Sequence, residues 1–217
     1  MYIKIMVDLK KILKKKSCFL FGPRQTGKSL FIDKTLSQFK TYNLLDYSVF
    51  LKISRDLTII RKELSNKDSI IIIDEIQKIP ELLNEVHYMI EKHKIHFLLT
   101  GSSPRKIRRG GVNLLGGRAR TRYLHPFIYK ELGNVDLLET LNYGLIPSIY
   151  FSDSKEEDLK SYVGNYIAEE VALEGAHRNI PAFSRFLEIA ALSNGQIINY
   201  TNIANDAQIP RTTIHEY

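Results

Sequence analysis

One octapeptide limits what this chain can be: Gly22-Pro23-Arg24-Gln25-Thr26-Gly27-Lys28-Ser29. The apolar run Cys18-Phe19-Leu20-Phe21 precedes it, and a helical pattern opens after it. Strand, glycine-bounded loop and helix form the setting in which G-x-x-x-x-G-K-[ST] cradles phosphate. Gly22 and Gly27 let the backbone curl until successive N–H groups face one concavity. That concavity lies at a helix N-terminus, whose dipole also favours negative charge. Lys28 would then reach the β- and γ-phosphates, and the Ser29 hydroxyl would hold Mg²⁺. A chance match in a glycine-bearing turn is the competing reading, and the strand and helix flanks count against it.

The second informative stretch is Ser69-Ile70-Ile71-Ile72-Ile73-Asp74-Glu75. Four consecutive isoleucines predict a central strand buried on both faces. The two carboxylates then emerge at the strand's C-terminal end, where open α/β sheets bind ligands. There Asp74 would bind Mg²⁺ through water, and Glu75 would polarise an attacking water. The alternative is a pair of acids capping the next element. An acid directly after the strand aspartate also separates the chain from P-loop kinases.

Further elements follow from periodicity. Asp8–Lys16 reads as a short amphipathic helix with Leu9, Ile12 and Leu13 on one side and lysines on the other. A helix is expected from Lys28 to about Phe39, a short strand over Tyr42–Asp46, and a polar, partly helical connection to Lys67. Leu82, Leu83, Val86, Met89 and Ile90 recur at helical spacing. His87, His93 and His96 lack the spacing of a ligand set and read as solvated or hydrogen-bonded. Ile95–Thr100 predicts another buried strand, ending in Gly101-Ser102-Ser103. Ser102 or Ser103 would orient the lytic water there or sense the γ-phosphate; capping the next helix is the equal alternative.

Charge placement says more than the net +7. From Pro104 to Arg122 there are seven basic residues and no acid, and residues 1–16 carry six lysines against Asp8 alone. The segment 153–174 reverses this, with seven acids and two lysines. Basic patches suit nucleic acid, nucleotide phosphates and subunit contacts alike. Arg120–Leu124 is expected as the fifth strand. Arg118, just before it, is placed to leave its own subunit and enter a neighbour's site as an arginine finger, with Arg109, Arg120 and Arg122 competing for that role. Solvated arginines or DNA-phosphate contacts are the alternatives.

After Pro126 the pattern becomes helical: Phe127–Leu132, then Asp158–Glu174 with Leu159, Tyr162, Val163, Tyr166, Ile167 and Val171 as its buried stripe, then a helix after Pro181. Finally Ile203–Tyr217 has the spacing of a helix-turn-helix, with the turn closing on Ile209-Pro210. Arg211, Thr212, Thr213 and His215 would lie near the start of the recognition helix. The pattern stops after barely two turns, which predicts that the sequence ends inside a winged-helix domain. Forty-four per cent apolar residues are enough for a substantial core. The lone Cys18 excludes an internal disulfide framework and suits a reducing compartment. No signal peptide and no membrane-length apolar run is present, so a cytoplasmic protein with no membrane partner is expected.

These residues together carry a family resemblance. Gly22–Ser29, Ile73-Asp74-Glu75-Ile76-Gln77-Lys78-Ile79-Pro80 and Leu99-Thr100-Gly101-Ser102-Ser103 lead it. Leu115-Gly116-Gly117-Arg118, and Phe186-Leu187 with Ile203-Ala204, extend it. The chain resembles bacterial and archaeal AAA+ ATPases that pair an N-terminal P-loop domain with a C-terminal winged-helix region. Phe127-Ile128 departs from the usual leucine-serine after the proline, which touches no catalytic residue. The resemblance implies ATP hydrolysis and a homo-oligomer but no substrate.

The expected fold is therefore a three-layer α/β P-loop NTPase of the AAA+ (ASCE) type with a parallel five-stranded sheet. A helical region and a truncated winged helix follow. The expected domains are residues 1–130 (ATPase core), 131–182 (helical lid and linker) and 183–217 (start of the winged helix). ATP and Mg²⁺ are the expected cofactors, and the absence of an Asn-Lys-x-Asp guanine-reading sequence favours ATP over GTP. The nucleotide would be held by Gly22, Pro23, Arg24, Gln25, Thr26, Gly27, Lys28, Ser29 and Asp74, with Ser29 and Asp74 on the metal. Glu75, Ser102 and Arg118 are the candidate catalytic residues. Hydrolysis would drive DNA or protein remodelling. The rival reading is a nucleotide-gated regulator of double-stranded DNA with little turnover, and a third is an interaction module that keeps a nucleotide site.

Overall fold

The structure, a computed structural model, describes residues 7–65, 68–104, 107, 115–166 and 179–216. The chain divides into two compact units, Met1–Asp153 and Ser154–Tyr217.

The first unit is built on five parallel strands, β1 (Ser17–Phe21), β2 (Lys40–Asn43), β3 (Ile70–Asp74), β4 (His96–Gly101) and β5 (Ala119–Tyr123). Their order across the sheet is β2-β3-β4-β1-β5, with Phe19 beside Leu99, Ile72 beside Leu98 and Leu20 beside Arg122. Because side chains alternate along a strand, the isoleucine run feeds both faces at once. Ile71 and Ile73 join Phe19, Phe21, Phe97 and Leu99 on one face, under α3 (Tyr47–Arg55), α4 (Ile59–Lys62) and α5 (Leu82–His93). Ile70 and Ile72 join Cys18, Leu20 and Leu98 on the other, under α1 (Leu9–Leu13) and α2 (Lys28–Leu36). The expected three-layer parallel sheet is what forms. Burial pushes the Cys18 thiol up to about 11, against the lowering pull of Arg122 and Arg120; it is a packing residue.

Several boundaries differ from the sequence reading. The second strand begins at Lys40 and ends at Asn43, because Asp46 caps α3, accepting from the Ser48 N–H at 2.8 Å. The first helix stops at Leu13, with Asp8 accepting from the Lys11 N–H. The α2 helix ends at Leu36, three residues short of Phe39. Glu75 is outside β3, in a left-handed conformation with φ 62°.

Glu63, beyond α4, gathers three groups from this face. Its carboxylate accepts from the Tyr42 hydroxyl at 2.7 Å and pairs with Lys52 and Lys40. Lys52, Tyr42 and Lys40 together hold its pKa at about 2, below the ordinary 4.5. A depressed carboxylate pKa stabilises the fold fully above the unfolded value, and that stabilisation fades as pH falls through the folded one. Glu63→Gln should therefore lower the urea midpoint at pH 6 by an amount worth about 1 kcal/mol or less. The difference from wild type should shrink between pH 4.5 and pH 2.

Beyond β5, short helices Tyr129–Leu132, Leu137–Tyr143 and Pro147–Tyr150 complete the unit. Phe127, Tyr150 and Phe151 pack edge to face.

In the second unit, helix Lys155–Asn165 starts three residues earlier than expected and buries no residue fully. The expected stripe is only partly covered: Leu159 and Tyr162 are half-buried, while Val163 and Tyr166 are exposed. Ile167, Val171 and the rest of that stretch to residue 174 lie outside the described residues. Helices Ile180–Leu192, Tyr200–Ala207 and Arg211–Glu216 share a small core of Ala182, Ile203, Ala204, Ala207, Ile209 and Ile214. Pro181 lies within the first turn of its helix, where its missing N–H costs nothing. Gln208, left-handed at φ 54°, makes the turn, and the last helix opens at Arg211 as expected.

Candidate functional site

The phosphate-loop sequence leaves β1 at Phe21 and enters α2 at Lys28. Two residues turn left-handed within it, Gln25 at φ 63° and Gly27 at φ 81°, so the loop curls back on itself. Thr26 is buried and its hydroxyl donates to the Pro23 carbonyl at 2.9 Å. Lys28 is only 7% exposed, and its ammonium donates to the carbonyls of Gly22 at 2.7 Å and Pro23 at 2.9 Å. Gly27 caps α2 without a side-chain hydrogen bond, so the helix presents its first N–H groups to whatever the loop encloses. Pro23, Arg24 and Gln25 are exposed at the loop's tip. Ser148 donates to the Gln25 side chain at 2.7 Å, linking helix Pro147–Tyr150 to the loop.

Gly22 fits by close approach. A Cβ there would lie 2.2 Å from the Leu124 carbonyl oxygen. The Gly22 N–H also donates to Gly101 O at 3.2 Å, and Leu124 N–H to Phe21 O at 2.7 Å. The loop's origin is thus wedged between the ends of β4 and β5.

A chain of hydrogen bonds then runs across the C-terminal edge of the sheet. The Ser29 hydroxyl donates to Asp74 Oδ2 at 2.9 Å. The Thr100 hydroxyl, fully buried, donates to Asp74 Oδ1 and accepts from the Glu75 N–H at 3.0 Å. Asp74 is 3% exposed, so both its oxygens are satisfied inside the protein, as a buried carboxylate requires. Because Ser29 gives its proton to Asp74, its oxygen lone pairs remain to face a cation. A hydroxyl and a carboxylate are the hard oxygen donors that suit Mg²⁺, so the residues fit that ion. The Glu75 carboxylate accepts from the Gln77 amide.

The sequence missed Thr100 and Gln77. Thr100 closes the run Phe97-Leu98-Leu99 and looked like a strand ending; a hydroxyl at the end of a buried strand beside Ile73-Asp74 was the available signal. Ser102 follows β4, and its hydroxyl is buried without a hydrogen-bond partner among the described residues.

Arg118 lies at the other edge. Ala119 pairs with Ser17 at the start of β1, so Arg118, one residue earlier, is displaced from Gly22 by about 20 Å along the strand direction at ~3.3 Å per residue. Its guanidinium pairs with Glu91 of α5, holding that carboxyl below its ordinary range. Arg118 is not drawn to its own subunit's phosphate loop. Arg120 and Arg122 are exposed on the Cys18 face of the sheet. Arg109 lies outside the described residues, as do Arg105, Lys106 and Arg108. Among the described residues no group of three or more His, Cys, Asp and Glu is arranged to hold a metal ion. His96 Nδ1 contacts the Leu13 carbonyl, and His93 packs on Tyr88.

With this geometry in hand, comparison with known proteins adds the family. The model of a family described as "AAA domain" matches residues 14–133, more than half of the chain. The chain belongs to this AAA domain family. The AAA domain thus contains the phosphate loop, β3 with Asp74 and Glu75, and all five strands, and it is a nucleotide-binding P-loop domain. A domain of unknown function matches residues 134–217. No curated protein matches the sequence.

Among solved structures, the replication initiator DnaA bound to AMPPCP and single-stranded DNA aligns at 13% identity. The alignment covers 95% of this chain and 84% of that one, with a TM-score of 0.40. Domain III of DnaA from Thermotoga maritima aligns at 12% identity over 92% and 88%, with a TM-score of 0.34. A signal-transduction ATPase with a tetratricopeptide-repeat sensor from Pyrococcus horikoshii aligns at 16% over 94% and 32%, with a TM-score of 0.38. Similarities at this level say nothing of ligand or activity. No helix among the described residues is long and apolar enough to cross a membrane.

Proposed function

We propose that this AAA domain binds ATP with Mg²⁺ and hydrolyses it. The observation that carries the reading is the continuous chain Ser29–Asp74–Thr100–Glu75, which ties the phosphate loop's helix to the ends of β3 and β4. Residues 22–29 hold the nucleotide phosphates, with Lys28 supplying positive charge at the loop's centre. Ser29 and Asp74 would hold Mg²⁺, which would supply neutralising charge to the phosphates. Glu75 takes the proton of the attacking water as general base, and Ser102 or Ser103 orients that water. Arg118, just before β5 and paired with Glu91, acts in a neighbouring copy's site, where a finger arginine is worth roughly 10³–10⁵ in rate. The functional form is then a homo-oligomer, and turnover drives remodelling of DNA or protein.

The test is Mg²⁺-dependent phosphate release from ATP across a protein concentration series, with assembly followed by light scattering. The rate per subunit is expected to rise as oligomer forms. A constant rate across a range that changes the oligomer population would remove Arg118 from the mechanism.

A second reading, a nucleotide-gated DNA-binding regulator, is favoured by two surfaces. Arg211, Thr212 and His215 are exposed on the last helix, the position of a recognition helix in a winged-helix domain. In the first unit, Lys10, Lys11, Lys14 and Lys15 of the α1 region and Arg120 and Arg122 of β5 are exposed over the Cys18 face of the sheet. Titration against duplex DNA should show affinity falling steeply as salt rises and changing with ATP. Affinity indifferent to both would exclude this reading.

A further inference from the structure

Gln77 lies in the short 3-10 turn Ile76–Lys78, two residues after the carboxylate assigned above as the base. Glu75 turns the chain in a left-handed conformation, φ 62° and ψ 46°, which residues other than glycine adopt rarely. Two bonds hold it there: its N–H donates to Thr100 Oγ1 at 3.0 Å, and its carbonyl accepts from the Lys78 N–H at 2.9 Å. The result brings the Gln77 side chain back onto Glu75, where Gln77 Nε2 donates to Glu75 Oε2. No other hydrogen bond to the Glu75 carboxylate is formed among the described residues.

The amide's orientation is not free. A carboxylate only accepts, so Nε2 must face Glu75 and Oε1 must face the other way. There Oε1 is buried and has no hydrogen-bond partner among the described residues. A buried acceptor without a partner is uncommon and asks for an explanation. It lies against Gly101, where a Cβ would stand 2.5 Å from it. Gly101 does not have a positive φ, so its backbone would tolerate alanine. What excludes a side chain at position 101 is Gln77 itself.

We propose that Gln77 is a positioning residue for hydrolysis: its amide fixes Glu75 by one carboxylate oxygen and leaves the other to take the water's proton, and Gly101 is the space that admits it. The proposal rests on Glu75 being the base. An anchored carboxylate loses the rotational freedom that a free glutamate at a surface turn would keep, so the base is held in one geometry before substrate arrives. The amide also adds no charge that would compete with the transferred phosphoryl group.

The test compares Gln77→Ala, Gln77→Glu, Gly101→Ala, the double variant Gln77→Ala/Gly101→Ala and Glu75→Gln in Mg-ATP turnover, with ATP affinity and Tm measured on each. Gln77→Ala should lower kcat about 10- to 100-fold with KM within about twofold of wild type. Gly101→Ala should do the same by displacing the amide, and the double variant should be no worse than either single one, since the added Cβ then occupies space already vacated. Gln77→Glu keeps the shape but sets a second carboxylate beside Glu75, so the acid limb of the kcat profile should move up by about one pH unit. A merely structural role would lower Tm without moving that limb. Gln77→Ala with wild-type kcat, or effects of the two single variants that multiply in the double, overturns the proposal while an inactive Glu75→Gln leaves the hydrolysis reading standing. An active Glu75→Gln overturns both.

Discussion

Lys28→Ala is expected to weaken ATP binding by about 100-fold or more, measured by calorimetry or by displacement of a fluorescent nucleotide. Lys28 is nearly buried, and its ammonium is held inside the loop by the Gly22 and Pro23 carbonyls. Phosphate oxygens entering the loop meet a charge already stripped of most of its water, so the contacts formed are charge-assisted. At about 1.5–3 kcal/mol for each such bond, losing one or two removes one to several powers of ten in affinity. Alanine also leaves both carbonyls without their donor, so the loop loses the tie that closes it. The fold should survive, because the sheet and its two apolar faces are untouched. Unchanged affinity would mean that the nucleotide does not use this loop.

Gly22→Ala should have a comparable effect by a different route. Its Cβ would stand 2.2 Å from Leu124 O and 3.3 Å from Thr26 Oγ1. The first neighbour is backbone, fixed by the Leu124 N–H to Phe21 O bond, so neither strand end can yield cheaply. Overpacking of this kind costs about 1–3 kcal/mol, or about 2–4 °C in Tm per kcal/mol for a chain of this size. ATP affinity should fall more than about tenfold, because relief of the clash moves the loop's origin. Gly164→Ala is the control. It lies in an exposed helix with nothing within 4 Å of its added Cβ, so the variant should be neutral or slightly stabilising.

The parts of this site that could be read in the sequence are those whose chemistry is local. The glycine spacing from Gly22 to Gly27 and the unbroken isoleucines before Asp74 each impose a geometry on their own segment, so both survive into the fold. The strand expected over Tyr42–Asp46 is instead Lys40–Asn43, because Asp46 had two uses, strand end or helix cap, and only the chain's turn toward α3 decides between them. The roles of Thr100 and Gln77 were missed for a different reason. Thr100 acts on Asp74 across a parallel strand pair whose register the sequence does not state, and Gln77 meets Glu75 only because Glu75 turns left-handed. The stripe from Leu159 to Tyr166 shows the opposite error: apolar residues at helical spacing predicted burial, yet Val163 and Tyr166 are exposed.

If this domain hydrolyses ATP with Glu75 as the base, Glu75→Gln should abolish turnover and spare binding. The substitution keeps the side chain's size and the backbone hydrogen bond to Thr100, and removes only the capacity to take a proton. Steady-state phosphate release at saturating Mg-ATP should fall by about 100-fold or more, while ATP affinity stays within about threefold of wild type. Turnover at the wild-type rate, with binding intact, would contradict the account.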